Sequence, residues 1–187
     1  MPLPVITTTG CYQNPAEDTA IGCAPSTTDG KITQIIFGSR PLTSLEIADL
    51  TSLEAAIDNT DATGASMHKW VVIASKEKPE RGSTEVEGGV TVFDSQQLHK
   101  VVGRFYENSD LRYNQYREMQ EAKPMYVYYG NDDYLFGGHA DFVDGINTVI
   151  AVTENRPEEG KAFFDFEFSW KDKYGPTRIA YPTDSGS

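Results

Sequence analysis

Residues 161–170, Lys-Ala-Phe-Phe-Asp-Phe-Glu-Phe-Ser-Trp, constrain the fold more than any other stretch. Phe164, Phe166, Phe168 and Trp170 fall on every second position, and Asp165, Glu167 and Ser169 fill the gaps. Side chains of a strand alternate between its two faces, so the stretch puts four rings on one side and polar groups on the other. A helix would scatter the same residues around its circumference. The pattern is that of a long strand with one face in a core and one in water.

The rest of the chain agrees with a sheet protein. Aromatic residues make up 11% of the sequence, with ten Tyr and nine Phe, which favours sheet over helical bundle. At 187 residues the chain is long enough to bury a core without disulfides or metals, and one domain is the default. The expected fold is α+β and predominantly antiparallel β, a β-sandwich or barrel with two short helices. The expected organisation is an extended arm at 1–30, a single β-rich domain at 31–182 and a disordered tail at 183–187. The arm holds four Pro and many Thr, Gly and Asp with little periodicity.

Read in order, residues 31–37 give a first strand rich in β-branched residues. Thr51-Ser52-Leu53-Glu54 reads as a capping box opening a helix over 50–59. The same wording at Thr43-Ser44-Leu45-Glu46 reads as a turn because Pro41 precedes it closely, with a continuous helix from 43 as the alternative. Residues 70–75 form a buried strand. Residues 76–88, charged and broken by Pro79 and Gly82, form a long loop or a protruding hairpin. Strands follow at 89–93 and 98–106, then a helix over 110–122 that Pro124 stops. Residues 125–129 and 134–136 flank Gly-Asn-Asp, a hairpin signal. Residues 146–153 and 177–181 complete the strands.

Charge and motifs narrow the function. The 28 acidic and 16 basic residues leave a formal charge of −12, a surface that repels nucleic acid because DNA affinity comes mainly from Lys and Arg on phosphates. Cys11 and Cys23 sit in a Gly/Pro/Thr-rich segment without a Cys-x-x-Cys or a nearby His, so no zinc site is expected and two free thiols are the default. No basic and apolar leader stands at the N-terminus, and no apolar run approaches the roughly 20 residues of a membrane span.

Asn131, Asp132 and Asp133 resemble part of a calcium loop, but the spacing of the Gly and Glu that such a loop needs is missing, and turn residues are the simpler reading. His139 and Asp141 could do acid–base chemistry, yet no nucleophile motif accompanies them. His68 and His99 are isolated and read as strand-edge or surface residues. Glu85, Glu87, Asp165 and Glu167 read as the solvent side of alternating strands rather than as the carboxylate pairs of a glycosidase. No Gly-rich phosphate loop is present. Neither a cofactor nor a metal is expected, and the chain does not read as an enzyme.

The order of elements, with the stretches from Tyr126 through Gly138 and from Phe164 through Tyr181, resembles tail- and neck-associated structural proteins of tailed bacteriophages, nearest those of crAss-like phages of Bacteroidetes hosts. The similarity is one of layout, over roughly residues 30–180. It implies a virion component, made in the host cytoplasm, that forms a homo-oligomeric ring or tube with other virion proteins around the DNA channel. It also implies that the fold is the tail-tube kind. That family has no catalytic residues to carry over. DNA would pass such a ring without specific binding, and no membrane partner is expected. Asp165 and Glu167, opposite the aromatic face, are the candidate channel-lining residues, since carboxylates let DNA slide where Lys and Arg would hold it. The alternative reading is a carbohydrate- or receptor-binding β-sandwich with exposed tyrosines as its contact surface.

Overall fold

The computed structural model describes residues 5–6, 12–13, 31–57, 67–86, 90–106, 110–138, 144–156 and 162–183. The backbone divides into two compact units at Gly30/Lys31. In the first, β1 (Val5–Ile6) and β2 (Tyr12–Gln13) pair antiparallel, Val5 opposite Gln13 and Ile6 opposite Tyr12. Cys11 and Cys23 lie outside the described residues, as do Glu87, His139, Asp141 and the tail beyond Thr183.

The second unit is built on one antiparallel sheet. Its strands are β3 (Ile32–Gly38), β4 (Met67–Lys76), β5 (Glu80–Val86), β6 (Val90–Tyr106), β7 (Met125–Gly130), β8 (Tyr134–Phe136), β9 (Ile146–Thr148), β10 (Ala151–Asn155), β11 (Phe163–Asp172) and β12 (Arg178–Ala180). The order across the sheet is β10-β11-β6-β4-β3-β7-β8-β12, with β5 added to β6 and β9 added to β7. The sheet stays open, with β10 and β12 as its ends, so the barrel alternative is not realised. It curls instead. β9 comes up against β11 through one side-chain bond, in which Thr148 Oγ1 donates to the Ser169 carbonyl at 2.7 Å. The two halves of the curled sheet thus face each other across a core, as in a sandwich.

The alternation in β11 sets that core. Phe164, Phe166 and Phe168 are buried on the inner face, and Trp170 packs half-buried at its rim. Register places Phe164 opposite Phe105 and Phe168 opposite Val101 on β6. Trp70 of β4 stacks on Phe105 at 4.0 Å between centroids and meets Phe37 of β3 edge-on at 4.5 Å. Tyr129 of β7 reaches across to Phe168 and Trp170 at 6.1 and 6.0 Å. Each ring taken out of water contributes about 1.5–3 kcal/mol. Gly103 lies among them because a Cβ there would collide with Ala74 and Phe166.

Among the described residues three helices, not two, cover parts of the sheet: α1 (Ser44–Ala48), α2 (Leu50–Ala56) and α3 (Asp110–Met119). α3 closes the inner core. Tyr116 lies on Phe164 at 4.6 Å, and Gln115 Oε1 accepts from Trp70 Nε1 at 2.8 Å. α1 and α2 cover the outer face over β3 and β7, where Leu42, Leu53, Ile36, Met67, Tyr128 and Leu135 form a second core. There the Tyr128 hydroxyl accepts from the Leu42 amide at 3.0 Å, and burial pushes that phenol up to about 12.

Several boundaries differ from expectation for local reasons. The capping box forms at Thr43 and Glu46, not at Thr51 and Glu54. α2 is capped two residues earlier than expected, by Asp49 accepting from the Ser52 amide at 2.9 Å, which leaves Thr51 inside the helix. The two strands expected at 89–93 and 98–106 are one 17-residue strand, β6, whose polar centre 94–97 is carried through by pairing with β5 across a bulge. The strand expected at 146–153 is split at Val149-Ile150, with β9 serving β7 and β10 serving β11. His99, expected at a surface or strand edge, is 2% exposed and stacks on Trp170 at 5.2 Å. Asn131 is a turn residue whose Oδ1 accepts from the Asp133 and Tyr134 amides at 2.9 and 2.8 Å.

Candidate functional site

Two surfaces of the second unit carry more apolar area or open backbone than folding requires. The first is the part of the outer sheet face that α1 and α2 leave bare. Trp70, Val72 and Ala74 of β4 point inward, so Val71 and Ile73 point outward, 61% and 71% exposed. Cross-strand register continues this face in two rows, Ile73–Arg104–Asp165–Thr153 and Ser75–Val102–Glu167–Ala151. The rows border an open groove of about 910 Å³, with Lys31 and Thr33 at one side.

Asp165 and Glu167 lie on this face, opposite the rings, and each meets a cation. Arg104 grips Asp165 with two bonds, Nε to Oδ1 at 2.8 Å and Nη2 to Oδ2 at 3.3 Å. Asn155 Nδ2 also donates to Asp165, at 2.9 Å, and the Arg104 guanidinium lies 3.8 Å from the Phe163 ring centroid. Lys100 Nζ contacts Glu167 at 2.8 Å. These bonds raise the pKa of both cations, Lys100 through Glu167 and Arg104 through Asp165. The carboxylates are therefore neutralised within the face. The partners were within reach of sequence reasoning: Lys100 and Arg104 share one parity with Val102, opposite to the buried Val101 and Phe105.

The second surface is the β5–β6 hairpin. β4 holds one edge of β6 as far as Lys76, and the Glu77 amide extends that edge by donating to the Lys100 carbonyl at 2.9 Å. Pro79 lacks an amide hydrogen and breaks the ladder. β5 then takes over the same edge, from Glu80 opposite Leu98 to Val86 opposite Val90. On the other edge β11 ends at Asp172 opposite Gln97. Beyond Gln97 the hairpin is therefore a two-stranded arm whose outer edges pair with no other strand among the described residues. Its β6 strand runs about 20 Å past that point at roughly 3.3 Å per residue. Val92 and Phe93 on it are 50% and 62% exposed.

Among the described residues no group of three or more His, Cys, Asp or Glu is placed to hold a metal ion. No helix among them is long and apolar enough to cross a membrane. His68 is half-buried, its Nδ1 2.9 Å from Gln115 Nε2, and it belongs to the anchorage of α3. No family model, curated protein or solved structure matches the chain.

Proposed function

We propose that the chain is a structural subunit that joins copies of itself, with other virion proteins, into a ring or tube of the phage neck or tail kind, made in the host cytoplasm and surrounding a DNA channel. The observation that carries this reading is the β5–β6 arm. A lone two-stranded hairpin is marginal in water, and one with open edges and exposed apolar side chains gains stability when another chain covers it. Such an arm makes a head-to-tail contact, the kind that closes rings or extends tubes. The channel part of the reading rests on the chain's net charge of −12, which would let DNA pass without counterion-releasing contacts. Asp165 and Glu167 suit a channel lining less well than free carboxylates would, because Arg104 and Lys100 neutralise them.

The test is the oligomeric state of the full chain, by native mass spectrometry and electron microscopy over a range of concentrations. Rings or tubes of regular subunit number are expected. Replacing residues 81–96 by a tight turn should leave a folded monomer. A wild-type chain that stays monomeric at every concentration, alone and with companion virion proteins, overturns the proposal. The carbohydrate-binding reading has one observation in its favour: Tyr106, 45% exposed, lies edge-on to Phe163 at 6.4 Å on the open face. A glycan array that gave specific binding, lost in Tyr106→Ala, would favour that reading.

A further inference from the structure

The arm needs a surface to cover it, and the bare sheet face needs an occupant. We infer that they are the two halves of one contact: the β5–β6 arm of one copy lies across the Val71–Ile73–Val102 face of the next. This rests on the assembly reading above and specifies its joint.

Three observations match the halves. The first is chemistry. The arm exposes Phe93 on one of its faces and Val92 on the other, and the sheet face exposes Val71 and Ile73, so laying the Phe93 side of the arm on it removes apolar surface on both sides. The second is size. Strands in a sheet are about 4.8 Å apart, so the face of β4, β6, β11 and β10 is about 19 Å wide, and an arm of two strands, about 10 Å wide, fits within it. Packed face to face, the two would form a local sandwich.

The third observation is charge. In a chain of net charge −12, two copies repel over most of their surface. The face is an exception. Lys31, Lys100 and Arg104 there are balanced by Asp165, Glu167 and Glu77, so the face is close to neutral. The arm carries Glu85 and Asp94 against Arg81 at its base. An acidic arm therefore meets on this face a near-neutral surface, where the repulsion between copies is weakest. The donor and acceptor are different patches of the same molecule, so the contact is heterologous and each subunit keeps one of each for its next neighbours. It also assigns Asp165 and Glu167 to a joint between subunits, where their pairing with Lys100 and Arg104 fixes the register of the acceptor face.

The experiment uses the full chain with Phe93→Asp in the arm and Ile73→Asp in the face. Both side chains are largely exposed, so the thermal unfolding of each variant should match wild type. Phe93→Ser and Val71→Asp serve as second variants if it does not. Each single variant is expected to lose assembly and sediment as a monomer. Mixed in equal amounts, the two should form a dimer and stop there, because only one intact arm meets one intact face. Normal assembly of Ile73→Asp and Val71→Asp, with loss in Phe93→Asp, overturns the inference while leaving the arm as the assembly element. A mixture that stays monomeric also overturns it. A wild-type chain that never assembles removes the underlying reading instead.

Discussion

His99 is the residue whose surroundings depart furthest from its chemistry. It is 2% exposed and stacked on Trp170, and neither ring nitrogen closes a well-formed hydrogen bond among the described residues. Burial lowers its pKa most, and the nearby Lys76 ammonium lowers it further. The Asp172 backbone and carboxylate and the Tyr174 backbone oppose the shift. A histidine lowered in the folded state stabilises the fold fully above its unfolded pKa of about 6.5, and that contribution is lost as pH falls from there through the folded value. The melting temperature should therefore drop between pH 7.5 and 5. In His99→Phe, which keeps a ring against Trp170, the drop should be smaller; an identical pH profile would show that His99 is not the group responsible. Gly103 makes a second prediction. Its Cβ would meet Ala74 and Phe166, so Gly103→Ala should cost about 1–3 kcal/mol in urea unfolding. The aromatic half of this core was legible in the sequence because period-two alternation is a local signal. The burial of His99 was not, because it depends on Trp170 arriving from a strand far along the chain.

At the scale of elements, the helices show where local wording gives way to context. Thr43 and Thr51 each open the same four-residue motif, and only Thr43 caps a helix. The reason lies next to it: Asp49, in extended backbone, accepts from the Ser52 amide and starts α2 before Thr51 can act as a cap. Arg40 also fixes the productive copy, with two bonds to Glu46 at 2.9 and 2.6 Å. Thr43→Ala should then cost about 1 kcal/mol and Thr51→Ala only a few tenths, a difference that urea titration resolves. α3 is held differently. Gln115 supplies the acceptor for the buried Trp70 indole, so Gln115→Leu should destabilise by about 1–3 kcal/mol while leaving the sheet intact. The arm was only half legible. Pro79, Gly82 and the charges announced an excursion, but the polar run 94–97 broke the alternation on which a single long strand would have been recognised.

For the molecule as a whole, the sequence conveyed a sheet with one wet, carboxylate-bearing face and left out the cations that balance it. Strand partners are set by topology, and β6 meets β11 across some sixty residues of intervening chain. The distribution of charge leads to a further expectation about assembly. Repulsion between copies of net charge −12 is screened by salt, whereas apolar contact is not, so the concentration needed to assemble should fall as salt rises from about 20 to about 300 mM. A threshold that rises with salt, read by light scattering, would place the joint among unlike charges instead. One last consequence follows from the length of β6, which belongs both to the arm and to the middle of the sheet. Traction applied at the arm's tip travels along a continuous backbone into the ladders with β11 and β4, loading their hydrogen bonds together in shear instead of peeling them one by one. A subunit pulled by its neighbour would thus resist with its whole interior, and the limb would not tear away from the trunk.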